Sequence, residues 1–379
     1  DSHGFDDCSE EARQFVGMSR EEAREAIVEW FRSKGLLNNI REYSHSVGHS
    51  YRSHVPVEPY LSDQWYVRVT DDRFAGTALR SIDHDQYEGE APAGEAMDGD
   101  GKLSFTPKRY AKTFQAWHEN LRDWCISRQL WWGHRIPVWS RFTTPREKSA
   151  ELTAARAATA KGQDMAPVVS RWTSKGCAHA VRLLPDGILE EHVCVPPQVT
   201  IARHSSEGDI DESSVILELE QDGYVQDPDV LDTWFSSALW PLSTMGWPDP
   251  EAFPTEFPEG SRLLETFNPS SVLCTAREII TLWVSRMVMM NRYFLQRLPF
   301  TEVYIHAMIQ DGHGQKMSKS LGNGVDPRDI IRTHGADALR FTMAQMATST
   351  QDVRLPLDMV CPHSNKTFEP TFIRNSAGY

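Results

Sequence analysis

The chain has 379 residues, 40% of them apolar and 24% charged, and a formal net charge of −14. It contains no run of about eighteen apolar residues and no apolar signal core after Asp1, and so large an acidic surplus argues against non-specific coating of nucleic acid. Its six cysteines (Cys8, Cys125, Cys177, Cys194, Cys274 and Cys361) lie far apart, which suits reduced thiols rather than a disulfide framework or zinc knuckle, so a cytoplasmic protein of about two or three domains is expected.

Ser19 and Glu22 spell a capping box ahead of Ala23, Ile27, Trp30 and Phe31. They predict an amphipathic helix that stops near Gly35. A turn- and His-rich stretch, 43–59, leads to a strand over Gln64–Val69. Asp71–Gly101 is rich in glycine and acid without periodicity, which predicts a long surface excursion. A basic, aromatic helix is expected over Ala111–Arg128. Lys102–Arg141 carries eight Lys/Arg against two Asp/Glu, whereas Glu207–Asp222 has seven acids and no base. That contrast permits a local nucleic-acid-facing patch and is equally compatible with ordinary solvated surface.

The character changes over Thr143–Gln221. Glu151–Lys161 reads as a solvated helix, while His192–Val195 and Val215–Leu219 alternate like short strands. Residues 143–224 are therefore expected to form a separate inserted α+β subdomain. From Pro228 the chain is denser in apolar residues. Asp326 at the N-cap, Pro327 at the first position and Gly335 as the stop bracket one helix, and Asp337–Met346 is the last clear one. The pattern decays after Leu357, and no internal repeat is present.

Four segments carry candidate chemistry. In the run QDGHGQKMSKSLGN over residues 310–323, Lys316 and Lys319 stand three apart between Gly312, Gly314 and Gly322. Glycines let a loop close over a ligand, and two ammonium groups suit the charge of a triphosphate whose α-phosphate is attacked. A bare Lys-x-x-Lys, by contrast, is ordinarily a solvated turn. The run DWCISRQLWWGHRIP over 123–137 is aromatic and basic. Arg122, Arg128 and Arg135 are candidate phosphate contacts, with Trp131 and Trp132 as flat apolar surface. Snorkelling arginines on a core element would read the same way. In DPDVLDTWFSSALWP over 227–241, Trp234 beside Thr and Ser suits either a small apolar pocket or an aromatic core. In 272–290, a strand end at Leu273 leads into a long helix on which Ile279, Trp283 and Met287 share one face.

The run KMSKS over 316–320 resembles the signature loop of the class I aminoacyl-tRNA synthetases. The run 123–137 is similar to a stretch shared by their valine, isoleucine and leucine members, and 227–241 resembles the valine members more than the others. The resemblance covers about 45–140 and 225–356. It implies an α/β fold: the second half of a Rossmann-like nucleotide-binding catalytic domain, with residues 1–45 as the tail of an editing insertion, 46–142 as a connective segment, 143–224 as a lineage-specific insertion and 225–346 carrying the lysine loop. The tail 347–379 carries no reading.

The resemblance also implies the chemistry. Lys316 and Lys319 act in catalysis, and Met317, Ser318, Ser320, Ala276 and Glu278 contact ATP. Trp234, Ile279 and Trp283 wall the amino-acid pocket; Arg122, Arg128 and Arg135, read from their own charge, are the candidate tRNA contacts. ATP with Mg²⁺, valine and the valine tRNA are the expected partners, in a monomeric full-length enzyme without membrane association. An isoleucine enzyme or a non-catalytic tRNA-binding fragment are the alternatives.

The sequence departs from the family in three respects. No His-x-Gly-His segment is found; His45–His49 has one residue too many. The chain is thus expected to lack half of the ATP site and the editing pocket and to be inactive alone. The ribose-binding Gly-x-Asp appears as Ala276-Arg277-Glu278. Ser50 and Ser53 stand where Cys-x-x-Cys is usual, and serine is a poor zinc ligand, so no structural zinc is expected.

Overall fold

The computed structural model describes residues 11–50, 54–57, 62–147, 149–196, 211–250, 263–317, 323–324, 326–347, 352–354, 359–360 and 367–368. The chain divides into two compact units, Asp1–Asp63 and Gln64–Tyr379.

In the first unit the capping box forms as expected. The Ser19 hydroxyl accepts from the Glu22 N–H and the Glu22 carboxylate from the Ser19 N–H, starting helix α1, Arg20–Ser33. Gly35 ends it with φ of +67°, a conformation that costs glycine little.

The second unit is built on two sheets. The first has three parallel strands: β1 (Ser104–Thr106), β2 (Ser270–Ala276) and β3 (Phe300–His306), with β3 central. Helices α2 (Ala75–Ser81) and α3 (Arg109–Glu119) pack on each other, and α2 also packs on Ser285–Leu295. Phe105, Phe114, Ile280, Val284, Met287 and Val303 lie at the centre of this core.

This arrangement corrects three expectations. Asp71–Gly101 is not a surface excursion throughout, because every residue of α2 is buried. A helix buried on all sides has no polar face and shows no periodicity. The expected helix 111–128 stops at Glu119, and Trp124–Cys125 and Ser127–Arg128 instead form short antiparallel pairings with Tyr66–Val67 and Val230–Leu231. The expected strand 64–69 is only Tyr66–Val67.

The second sheet is antiparallel, in the order Ala166–Pro167, Ala178–Leu183, Leu189–Cys194, Val138–Thr143, Val225–Gln226. Two of its strands, the internal 138–143 and the edge 225–226, come from the chain on either side of the stretch 143–224. Val215–Leu219 is not a strand: it lies in the helix Glu212–Gln221, with Val215 and Leu219 buried one turn apart. An i, i+4 apolar pair within five residues is easily mistaken for alternation. The helix Ala150–Ala160 is not fully solvated either. Ala155 and Ala158 pack on Val181 and Leu189 of the sheet.

Buried charge locks this sheet. Glu191 accepts from Arg141, Thr143 and Tyr224 and lies 3.4 Å from His179 Nε2. Burial pushes its carboxyl up, but the bonds from His179, Arg141 and Tyr224 outweigh that and hold it down to about 2. Toward the C-terminus, Asp326 caps helix Pro327–His334 through the Arg328 N–H, Gly335 follows it, and Ala336–Met346 forms the next helix, all as expected. Among the described residues, no helix is long and apolar enough to cross a membrane.

Candidate active site

The parallel register sets Ala276 opposite His306, so β2 and β3 end at the same edge of their sheet. In open α/β sheets the carboxyl ends of strands are where ligands settle. Beyond Ala276 the chain makes a 3-10 turn, Arg277–Ile279, then a π segment, Ile280–Val284, and only then the α-helix Ser285–Leu295. The expected single helix with one stripe is therefore three segments. Ile279 is half-buried in the turn, Trp283 sits in the π segment, and Met287 is in the core. Such π segments frequently mark functional positions.

Beyond His306, strand Ile309–Gln310 pairs in parallel with Val353–Arg354, and Gln310 bridges to Lys316. Asp311 shapes the turn between them. Its carboxylate accepts from the backbone N–H groups of His313 and Gln315 at 2.9 and 2.8 Å and from the Asn323 amide at 3.0 Å. The Asn323 amide and the two backbone N–H groups hold the Asp311 carboxyl below its usual range. The start of the lysine loop and Asn323 beyond it are thus tied to one carboxylate.

These segments line an open cavity of about 820 Å³. Of the residues expected from sequence it gathers Ala276, Glu278, Ile279, Lys316 and Met317. The Lys316 ammonium pairs with the Glu278 carboxylate. The far wall is apolar, with Ile330, Leu339 and Met343 from the two C-terminal helices. Ser318, Lys319 and Ser320 lie outside the described residues.

Trp234 and Trp283 are not among the residues lining this cavity. Both are half-buried against the main core, and the Trp283 indole donates to the Ser237 carbonyl at 3.0 Å. Trp234 lies in helix Thr233–Ala238, capped by Asp232, whose carboxylate accepts from the Trp234 N–H. That buried carboxylate also takes the Trp124 indole N–H at 3.1 Å and an Arg128 guanidinium at 2.8 Å. One acid therefore joins the runs 123–137 and 227–241.

The three arginines expected to face phosphates do not behave alike. Arg128 is engaged by Asp232 and by the Cys125 and Ser127 carbonyls, and Arg135 by the Gln226 and Asp227 carbonyls. Arg122 is exposed on the rim of a separate groove of about 400 Å³ with Trp117 and Arg286. Trp131 and Trp132 are 98% and 88% exposed, so they are surface rather than core.

Sequence reasoning missed Asp352 and Val353, which lie in the tail left unread. Val353 lines the cavity, and Asp352 bonds to Arg277, Met308 and Gln310 around it. A lone acid far along the chain from its partners carries no local signal. Among the described residues, no group of three or more His, Cys, Asp or Glu is placed to hold a metal ion.

A family model described as "tRNA synthetases class I (I, L, M and V)" matches residues 18–175 and 188–356. The match runs through most of the stretch 143–224. The chain is 39% identical over 361 residues to the valine–tRNA ligase of Rhodopirellula baltica, and 39% identical over 352 residues to that of Geobacillus kaustophilus. These alignments take in 95% and 93% of this chain and 30% of each relative, so the chain spans less than a third of the length of these relatives. A solved Mycobacterium tuberculosis methionyl-tRNA synthetase bound by methionyl-adenylate aligns with a TM-score of 0.42 and 14% identity, over 82% of this chain and 38% of that one.

Proposed function

The chain belongs to the class I tRNA synthetases of the isoleucine, leucine, methionine and valine group, and from that membership we propose that it is part of an enzyme that ligates valine to the valine tRNA. The observation that carries the proposal is the cavity in which the strand-end segment Ala276–Ile279 meets Lys316 and Met317. The two curated relatives named above are both valine–tRNA ligases.

ATP, arriving with Mg²⁺, occupies this cavity. Ala276 leaves room for backbone approach to the nucleotide, and the Glu278 carboxylate accepts from the ribose hydroxyls. The valine carboxylate attacks the α-phosphorus, the bond to the β-phosphate oxygen breaks, and valyl-adenylate and pyrophosphate result. Lys316 leaves Glu278 for the phosphates and, with Lys319, stabilises the charge that develops there; Ser318 adds a hydrogen bond, and Met317 and Ser320 complete the contact. Valine then passes to the terminal adenosine of the tRNA, with release of AMP.

Trp234, Ile279 and Trp283 shape the amino-acid pocket. Rigid indoles exclude side chains larger than valine by overlap, whereas they reject the isosteric threonine only weakly. Arg122 is the best placed of the three arginines to meet tRNA, because it is exposed while Arg128 is held by Asp232 and Arg135 by backbone carbonyls.

The test is amino-acid-dependent exchange of labelled pyrophosphate into ATP by a full-length protein containing this chain. Valine is expected to drive exchange best, threonine weakly, and isoleucine least. Exchange driven best by isoleucine refutes the assignment. Lys319→Ala is expected to slow adenylate formation roughly 10²-fold with little change in ATP affinity. An unchanged rate removes the role given to the loop.

A further inference from the structure

The cavity is assembled from segments that are distant in sequence, and one carboxylate ties two of them together. Asp352 is largely buried, immediately before strand Val353–Arg354. Its two oxygens accept from Nη1 and Nη2 of the Arg277 guanidinium, end-on, at 3.0 and 2.7 Å. The same carboxylate accepts from the Met308 N–H at 3.2 Å and from the Gln310 amide at 2.8 Å. Arg277 is the middle residue of Ala276-Arg277-Glu278, the turn that presents two candidate nucleotide contacts. Met308 and Gln310 lie on the stretch that leads through Asp311 to Lys316.

We propose that Asp352 is a positioning residue for the nucleotide: it clamps the Arg277 turn to the 308–310 stretch and so fixes the separation between Glu278 and Lys316. Neither Asp352 nor Arg277 needs to touch the ligand. A two-pronged guanidinium–carboxylate bond fixes orientation as well as distance, which a single hydrogen bond does not. The backbone N–H of Met308 adds a third point, so the carboxylate cannot pivot. The sheet does not supply this restraint itself. The β2–β3 pairing ends at Ala276 and His306, and the segments that carry Glu278 and Lys316 begin after it. The part of the proposal that concerns nucleotide rests on the ATP reading of the cavity; the clamp does not.

The experiment uses the chain of residues 1–379 with Asp352→Asn, Asp352→Glu, Arg277→Gln and the double variant Arg277→Gln/Asp352→Asn. The readouts are backbone hydrogen exchange without ligand and the Kd for MgATP. Asp352→Asn keeps the shape and loses the charge. It is expected to speed exchange about tenfold at 277–279 and 308–310, while 272–275 and 302–305 keep wild-type rates. Asp352→Glu, which restores the charge, is expected to recover protection to within about twofold. The double variant is expected to exchange no faster than Asp352→Asn alone, as one shared interaction requires. MgATP is expected to bind about tenfold more weakly to Asp352→Asn with an unchanged melting temperature. Wild-type exchange at both segments in Asp352→Asn, or additive effects in the double variant, overturns the clamp. If the wild-type chain binds no MgATP, the ATP reading fails for this chain, and the exchange data still decide the clamp.

Discussion

Acidification from pH 7 to pH 5 should weaken the core beneath the cavity through a single histidine. His118 is buried in α3, where its Nδ1–H donates to the Phe114 carbonyl at 2.8 Å and its Nε2 accepts from the Ser285 hydroxyl at 3.0 Å. Only the second contact requires the neutral ring, because the Nδ1–H donates to the carbonyl in either protonation state. Burial outweighs the bond to the Phe114 carbonyl and lowers its pKa from 6.5 to about 4. The unfolded chain therefore takes up a proton near pH 6.5 that the folded chain refuses until about pH 4. Stability from this group is complete above pH 6.5 and falls as the pH drops toward 4. At about 1.4 kcal/mol per pH unit, the loss between pH 7 and pH 5 is about 2 kcal/mol. With an m-value of about 3 kcal/mol/M in urea, the midpoint should fall by about 0.7 M. The control is His118→Leu/Ser285→Ala, which removes both polar partners and leaves no buried hydroxyl unpaired. Its midpoint should change less over the same pH range by that amount. Equal changes in wild type and double variant refute the argument. Because Ser285 opens the helix that follows Trp283, the same variant should also change the hydrogen exchange of 280–284.

Two further outcomes follow from the buried carboxylates. Asp232→Ala removes the shared acceptor of Trp124, Arg128 and the Trp234 N–H and should cost about 2 kcal/mol in urea unfolding. In a full-length enzyme it should raise KM for valine more than KM for ATP, and equal effects would detach Trp234 from the amino-acid pocket. Glu191, held near pKa 2, contributes stability that is complete above about pH 4.5 and lost as the pH falls toward 2. Acid unfolding of the antiparallel sheet, followed by hydrogen exchange, should therefore start at higher pH once Glu191→Gln has removed that charge; an unchanged onset contradicts the assignment.

What could be read in the sequence was local. Ser19 with Glu22, and Asp326 with Pro327 and Gly335, act within one helical turn, so residue type and spacing are enough to place those helix ends. The segments 276–279 and 316–317 were legible as chemistry, yet nothing in their spacing said that they share a cavity. That follows from the parallel register of β2 on β3, a contact between distant parts of the chain. Helix Ala75–Ser81 was missed because being buried on all sides removes the alternation that would betray it. Val215 and Leu219 misled because two apolar residues four apart fit either a helix face or a short strand. Asp352 was illegible, since its four hydrogen bonds run to residues more than forty positions away.

The pairing of Lys316 with Glu278 bears on how the loop works in the proposed reaction. The ammonium is paired with a carboxylate on the facing turn. When a triphosphate enters, Lys316 exchanges one anion for another, so its contribution to ground-state affinity is the difference between two similar attractions. Surface ion pairs of this kind are worth at most about 1 kcal/mol, which makes that difference small. As pyrophosphate leaves, charge builds on the phosphate oxygens and not on Glu278. The exchange then favours the phosphate, and the gain falls on the step rather than on binding. A lysine with an acidic partner at rest is thus better suited to accelerating adenylate formation than to holding ATP. The carboxylate that quiets it also needs a fixed distance from it, and Asp352 is placed to supply that restraint.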